Sequence, residues 1–360
     1  GIAQRRWMQL ANQPLSKVLD TTIGKSWRHN PQDLQLLKNY QEDPTVLQRL
    51  ADAKLTNKQA LAEYIQQTTG IEVDPTAIFD VQIKRLHAYK RQLLNVMHIL
   101  KLYFDLKDDP QAPIHPRVFI FGAKAAPSYH YAKAIIKVIN EVANLINHDP
   151  TINDKLKVVF LENYNVTLAE RIIPAADVSE QISLASKEAS GTSNMKLMLN
   201  GAVTIATLDG ANIEIRDAIG DENIAIFGLT EEEVYAYYAQ QNYSAYAFYE
   251  EDPVLQRVVN AFIDGTIPNI ERECREVFDS LLKYNDEYFL LKDFKSYCDA
   301  QYRVDLAYKD QQRWQAISLM NIANAGKFSA DYTVQNYADD IWQIEPLYAH
   351  VKEPNSASLT

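Results

Sequence analysis

The chain has 360 residues, 47% hydrophobic and 23% charged, which allows two domains of about 150 residues or one large α/β unit with a sizeable core. Disordered, fibrous and disulfide-stapled classes are excluded, and no apolar run approaches the roughly 18 residues that a membrane span needs. With 36 basic against 47 acidic residues the net charge is −11, the wrong sign for a surface that tracks nucleic acid or anionic lipid.

Residues 1–70 read as helices punctuated by Pro14, Pro31 and Pro44, with amphipathic spacing at Leu34, Leu37, Val46, Leu47 and Leu50. From Ile78 the texture becomes strand, turn, helix. Phe79, Val81 and Ile83 alternate with Asp80 and Gln82, and Leu93, Leu94, Met97 and Leu100 follow at helical spacing. The cycle recurs with strands at 117–122, 157–161, 202–206 and 224–227, separated by helical stretches such as 131–146. Strands alternating with helices predict an α/β fold with a doubly wound, Rossmann-like parallel sheet, and ligands in such sheets sit beyond the carboxyl ends of the strands. The chain from Thr230 onward is helical and Tyr-rich, and its six tyrosines between Tyr235 and Tyr249 are read as amphipathic packing. Cys274 and Cys298, without a CxxC motif, fit two buried thiols in a reducing compartment. The opening Gly1 has neither an initiator Met nor a secretion signal before it, which is read as a cut.

Two segments carry chemistry. Lys84, Arg85, His87, Lys90 and Arg91 crowd into the turn after the first strand. Phosphate is the natural partner of such a cluster, against an alternative of a solvated helix face. The second segment, EASGTSNMK at 188–196, places small hydroxyl residues around Gly191 ahead of a short helix. Free backbone N–H groups there, with Ser190, Thr192 and Ser193 as added donors, suit an anion. Thr192 and Lys196 share one helix face. A ligand with phosphate at one end and a lysine-reactive group at the other fits that face, as pyridoxal phosphate would; a surface lysine on an ordinary helix is the plainer reading. The segment lacks Walker spacing, no GxGxxG follows a strand, and His87, His98, His115, His130 and His148 lack metal-binding spacing.

The segment FDVQIKRLHAYKRQLLN (79–95), then KAAP (124–127), ENY (162–164), IPAAD (173–177), EASGTSNMK (188–196) and DGANIE (209–214) resemble, in this order, blocks of the glycogen phosphorylase family of α-glucan phosphorylases. The resemblance covers nearly the whole chain. It implies the C-terminal domain of a two-domain glycosyltransferase B architecture and reversible phosphorolysis of α-1,4-glucan by inorganic phosphate, giving α-glucose 1-phosphate with retained configuration. It implies pyridoxal 5′-phosphate as cofactor, with Lys196 as its Schiff-base lysine and the 5′-phosphate as proton partner of the substrate phosphate. Two adjacent phosphates repel, which accounts for the density of cations.

By the same resemblance, Lys84 and the Gly191–Thr192 end of the helix hold the cofactor phosphate, and Arg85 and Lys90 hold the substrate phosphate. Tyr89, Glu188, Ser190 and Gly191 meet glucose hydroxyls, while Tyr164 and Trp7 border the cofactor; paired glycosidase carboxylates are not needed. Lys196, Arg85 and Lys90 are the catalytic set. Three positions depart from the family pattern: Ser193 and Ala123 stand where Gly is common, and Asn165 where some members have Arg.

The expected organisation is one cofactor domain over 1–330, made of a helical lead-in (1–76), a sheet core (77–229) and a helical part (230–330). A final helix at 331–360 is expected to pack on a missing N-terminal domain, which leaves its apolar Ile341, Trp342 and Ile344 partly exposed or used in self-association. The implied enzyme is cytoplasmic and homodimeric, without nucleic acid, membrane or metal, and this chain alone is expected to be inactive. Two competing readings remain: a nucleotide-sugar glycosyltransferase without pyridoxal phosphate, and a non-catalytic carbohydrate-binding or scaffold domain.

Overall fold

The computed structural model describes residues 1–345. Its centre is a parallel sheet of β1 (Ile78–Ile83), β2 (Arg117–Gly122), β3 (Leu156–Leu161), β4 (Val178–Gln181), β5 (Val203–Ala206) and β6 (Ala225–Ile226), in the order β3-β2-β1-β4-β5-β6. The order reverses between β1 and β4, the switch point at which a doubly wound Rossmann-like sheet opens a crevice beyond its strand ends.

Helices α1 (Gln13–Ile23) and α2 (Pro44–Thr69) precede the sheet. Between strands run α3 (Gln92–Asp108), α4 (His130–Asn147), α5 (Val166–Ala175), α6 (Ser193–Leu199) and α7 (Ala211–Ile219). The sheet is followed by α8 (Glu231–Gln240), α9 (Ala245–Glu251), α10 (Pro253–Asn260), α11 (Glu271–Leu281), α12 (Leu290–Lys309), α13 (Gln311–Asn324) and α14 (Ala330–Asn336). The early prolines open helical segments. Pro44 stands in the first turn of α2, where its missing N–H has no partner to lose, and Asp43 caps that turn by accepting from Thr45 N at 2.9 Å and Val46 N at 3.2 Å.

Each face of the sheet has its own core. Phe119, Phe121 and Val158 pack with α3, α4 and α12, whereas Val118, Ile120 and Val159 pack with the lead-in helices, α5 and α13. This side-to-side alternation is the period of two of a strand covered on both faces.

β4 has no counterpart in the sequence reading, because its residues Val178, Ser179, Glu180 and Gln181 carry little hydrophobic signal. All four are nevertheless buried. Glu180 accepts from Tyr297 Oη at 2.9 Å and Gln301 Nε2 at 2.6 Å, and Arg117 lies 3.4 Å from Asp80. Burial pushes the carboxyls of Asp80 and Glu180 up, which favours a proton held between these neighbours. A buried polar strand is tolerated here because the network supplies its partners.

One detail differs from expectation. Cys274 is buried as expected, but Cys298 is only partly so; both are free thiols. Helix α14 runs into a π-helical turn, Tyr337–Trp342, and Ile341, Trp342 and Ile344 are exposed. Residues 346–360 of the expected final helix lie outside the described residues. No helix among the described residues is long and apolar enough to cross a membrane.

Candidate active site

The chemistry-bearing segments converge at the carboxyl edge of the sheet. Lys84 and Arg85 follow β1 directly, Ala123 follows β2, Tyr164 lies just beyond β3, Gln181 ends β4, and Asp209 and Gly210 lie in the turn after β5. The switch point therefore gathers residues up to about 130 positions apart.

Lys84 sits at the centre. Its ammonium donates to Gln181 Oε1 and, at 3.1 Å, to Ser193 Oγ in the first turn of α6. Both acceptors are neutral. Burial, helped by the nearby charge of Lys90, pushes the Lys84 pKa down to about 7. Such an enclosed cation, hydrogen-bonded only to neutral oxygens, is a site that an anion would stabilise. Gln181 was not a candidate from sequence, since it lies in the strand that periodicity missed. Ser193, an added donor at a position where Gly is common in the family, also receives Gln181 Nε2 on its hydroxyl at 3.3 Å.

A second group forms around Glu188. Lys90 is ion-paired with it, and Tyr89 Oη donates to Glu188 Oε2 at 3.2 Å. Burial alone would lower the Lys90 pKa, but the bond to Glu188 outweighs it and the pKa is raised; the same pairing overcomes burial to lower that of Glu188. The loop carrying Glu188 is pinned from beneath. Asp209 accepts from Ser186 N at 3.0 Å and Glu188 N at 2.8 Å, and Ala211 N donates to Ser190 O at 2.9 Å. Gly210, at φ +53°, makes this approach possible: a Cβ there would stand 2.7 Å from the carbonyl oxygens of both Glu188 and Ser190. Asn194 reinforces the loop, donating to Ser190 O at 3.2 Å and to Asn212 Oδ1 at 3.0 Å.

The third group surrounds Lys196. Its ammonium lies 4.7 Å from the ring centroid of buried Trp7, and it forms no hydrogen bond or ion pair among the described residues. Burial, with the charge of Arg6 added, lowers its pKa, which increases the fraction present as free amine, the nucleophilic form. Asn200 joins the two partners, donating from Nδ2 to Trp7 O at 3.2 Å and Lys196 O at 2.8 Å.

The remaining candidates occupy the rim. Arg85, Ser190 and Thr192 are exposed, and Gly191 is at φ +78°. Tyr164 is half-buried beside Gly122, where a Cβ would lie 3.2 Å from its ring, and burial pushes its pKa up to about 12. Arg91 leaves the cationic cluster: it is buried, paired with Asp293 at 2.7 Å, and donates to Ile182 O at 2.8 Å. Asn165 accepts from Leu168 N at 3.1 Å and so caps α5. No cluster of metal-ligating side chains occurs among the described residues.

The family model described as carbohydrate phosphorylase matches residues 1–344. The chain is 51% identical over 347 residues to a glycogen phosphorylase of Bacillus subtilis (strain 168), covering 96% of this chain and 44% of that protein. It is 49% identical over 348 residues to a glycogen phosphorylase of Pasteurella multocida (strain Pm70), covering 96% and 42%. Against the muscle form of glycogen phosphorylase from Oryctolagus cuniculus the identity is 41% over 355 residues, covering 99% and 42%. The chain thus spans less than half the length of each of these relatives. A match of this extent, on a fold whose switch point gathers the residues of the resemblance, places the chain in the carbohydrate phosphorylase family.

Proposed function

We propose that this chain is the cofactor-binding part of an α-1,4-glucan phosphorylase, which transfers glucose from glycogen or maltodextrin to inorganic phosphate and yields α-glucose 1-phosphate. The observation that carries the reading is the enclosed Lys84 ammonium, bonded to neutral oxygens only, beside the helix that bears Lys196.

The donor set fits pyridoxal 5′-phosphate. An unneutralised cation and the first turn of α6 suit its phosphate, and an amine with lowered pKa, free of hydrogen bonds among the described residues, suits its aldehyde. When bound, the cofactor supplies its 5′-phosphate as an acid and base beside the substrate phosphate. Lys84, with Gly191 and Thr192, would hold the cofactor phosphate; Lys196 would bond the cofactor, with Trp7 and Tyr164 beside it keeping water away. Exposed Arg85 has its guanidinium available for the substrate phosphate. Lys90, shared between Glu188 and that phosphate, would bring its cation to the charge developing in transfer. Tyr89, Glu188, Ser190 and the Gly191 backbone would orient the glucose hydroxyls, so that Glu188 binds rather than cleaves.

The reaction needs water excluded from the transferring glucose, yet Arg85, Ser190 and Thr192 are open to solvent. We infer that an N-terminal domain of the enzyme closes this side, that the working form is a cytoplasmic homodimer, and that residues 1–330 act as the cofactor domain. Calorimetric titration with pyridoxal 5′-phosphate tests the site: the chain should bind it, and Lys84→Met and Lys196→Ala should each weaken binding at least about tenfold. Equal affinity in all three proteins would defeat the assignment.

A further inference from the structure

The six tyrosines between Tyr235 and Tyr249 do not all pack as the sequence suggests. Tyr237, Tyr243 and Tyr249 are partly buried, whereas Tyr235, Tyr238 and Tyr246 are exposed. Tyr237 and Tyr238, on α8, stand with the 68% exposed Tyr284 along an open groove of about 560 Å³. The rings on the α8 side are fixed from beneath: buried Phe289 lies 5.4 Å from Tyr237 and 5.6 Å from Tyr238 between ring centroids. Nearby, Tyr243 contacts the same Phe289 ring and donates its hydroxyl to Asp286 at 2.8 Å. The aromatic wall is thus held in place before any ligand arrives.

The lining is amide and carboxylate, with Gln241 and Glu287 exposed, while Lys187 and Lys283 stand behind it at 5.4 and 5.3 Å from the Tyr238 and Tyr284 ring centroids. The carboxylates of Asp286 and Glu287 within the lining disfavour phosphate. The lining suits a neutral polyhydroxylated chain, whose apolar C–H faces lie on ring faces while its hydroxyls bond carboxylates and amides. The groove also adjoins the candidate active site. Lys187, immediately before Glu188, places its ammonium 5.4 Å from the Tyr238 ring centroid, and the charge of Glu287 acts on His87 in the turn beside Tyr89.

A glucan longer than the single transferred residue must leave the site across adjoining surface. We propose that the groove between Tyr238 and Tyr284 is a binding subsite for an α-1,4-glucan chain. The choice of sugar rests on the proposed function; the presence of a neutral-saccharide groove rests on the rings and rim alone.

Titration of maltoheptaose into the full chain, read by calorimetry, tests this. Tyr238→Ala and Tyr284→Ala should each weaken binding by roughly fivefold, the double variant should lose it, and Tyr284→Trp should retain it. Both positions are exposed, so unchanged thermal melting will show that the variants fold. Tyr302→Ala, at an exposed tyrosine outside the groove, should bind maltoheptaose as the parent does. Absence of binding by the parent overturns the proposal, as do affinities indifferent to the tyrosine substitutions and a groove that takes oligolysine instead of maltoheptaose. Failure of cofactor binding with intact tyrosine-dependent maltoheptaose binding would defeat the proposed function while sparing the groove.

Discussion

A lysine ordinarily titrates near 10.5, but enclosure lowers Lys84 to about 7. The unfolded chain therefore binds more protons than the folded chain between those values, and the stability contribution of this group rises with pH across that window. Below about pH 7 both states are protonated and the cost of enclosing the cation is fully present. The melting temperature of the parent should accordingly rise relative to that of Lys84→Met between about pH 7 and pH 9, and inorganic phosphate at pH 7 should narrow the difference. Parallel melting profiles with pH would contradict the enclosure. The crowding of cations was legible in the sequence at 84–91, but their individual fates were not. Lys90 finds Glu188 98 residues away through the order of the sheet, and Arg91 finds Asp293 202 residues away through the packing of α12 on α3.

At the scale of elements, the legible strands were those whose apolar residues alternate or run together, such as β1 and β2. β4 escaped because its burial is balanced by hydrogen bonds rather than by apolar side chains, and Gln181, the partner of Lys84, escaped with it. The Glu188 loop shows a related limit. Gly210 acts there through close approach to carbonyls around 20 residues earlier in the chain, a contact that no local pattern in the sequence reveals. Gly210→Ala should displace the 188–190 loop, cost about 1–3 kcal/mol in urea unfolding, and weaken cofactor binding beyond what that loss of stability explains. A variant with parent-like stability and cofactor affinity would show that the loop does not depend on this approach.

Across the whole molecule, the net charge of −11 conceals a cationic cluster at one edge of an acidic protein. The cluster is assembled around β1, β4 and α6, with Arg85, Ser190 and Thr192 exposed. This exposure leads to the expectation that the 360 residues alone release no glucose 1-phosphate from glycogen or maltodextrin in phosphate buffer, as a coupled assay would register. Robust release would mean that the chain closes its own site. The central claim, that Lys196 carries pyridoxal 5′-phosphate, is tested most directly by the intact mass of the cofactor-treated chain before and after borohydride reduction, followed by peptide mapping. The account predicts one stable addition of the reduced cofactor, located on Lys196 and absent from Lys196→Ala. No stable addition, or one scattered over surface lysines, would contradict it.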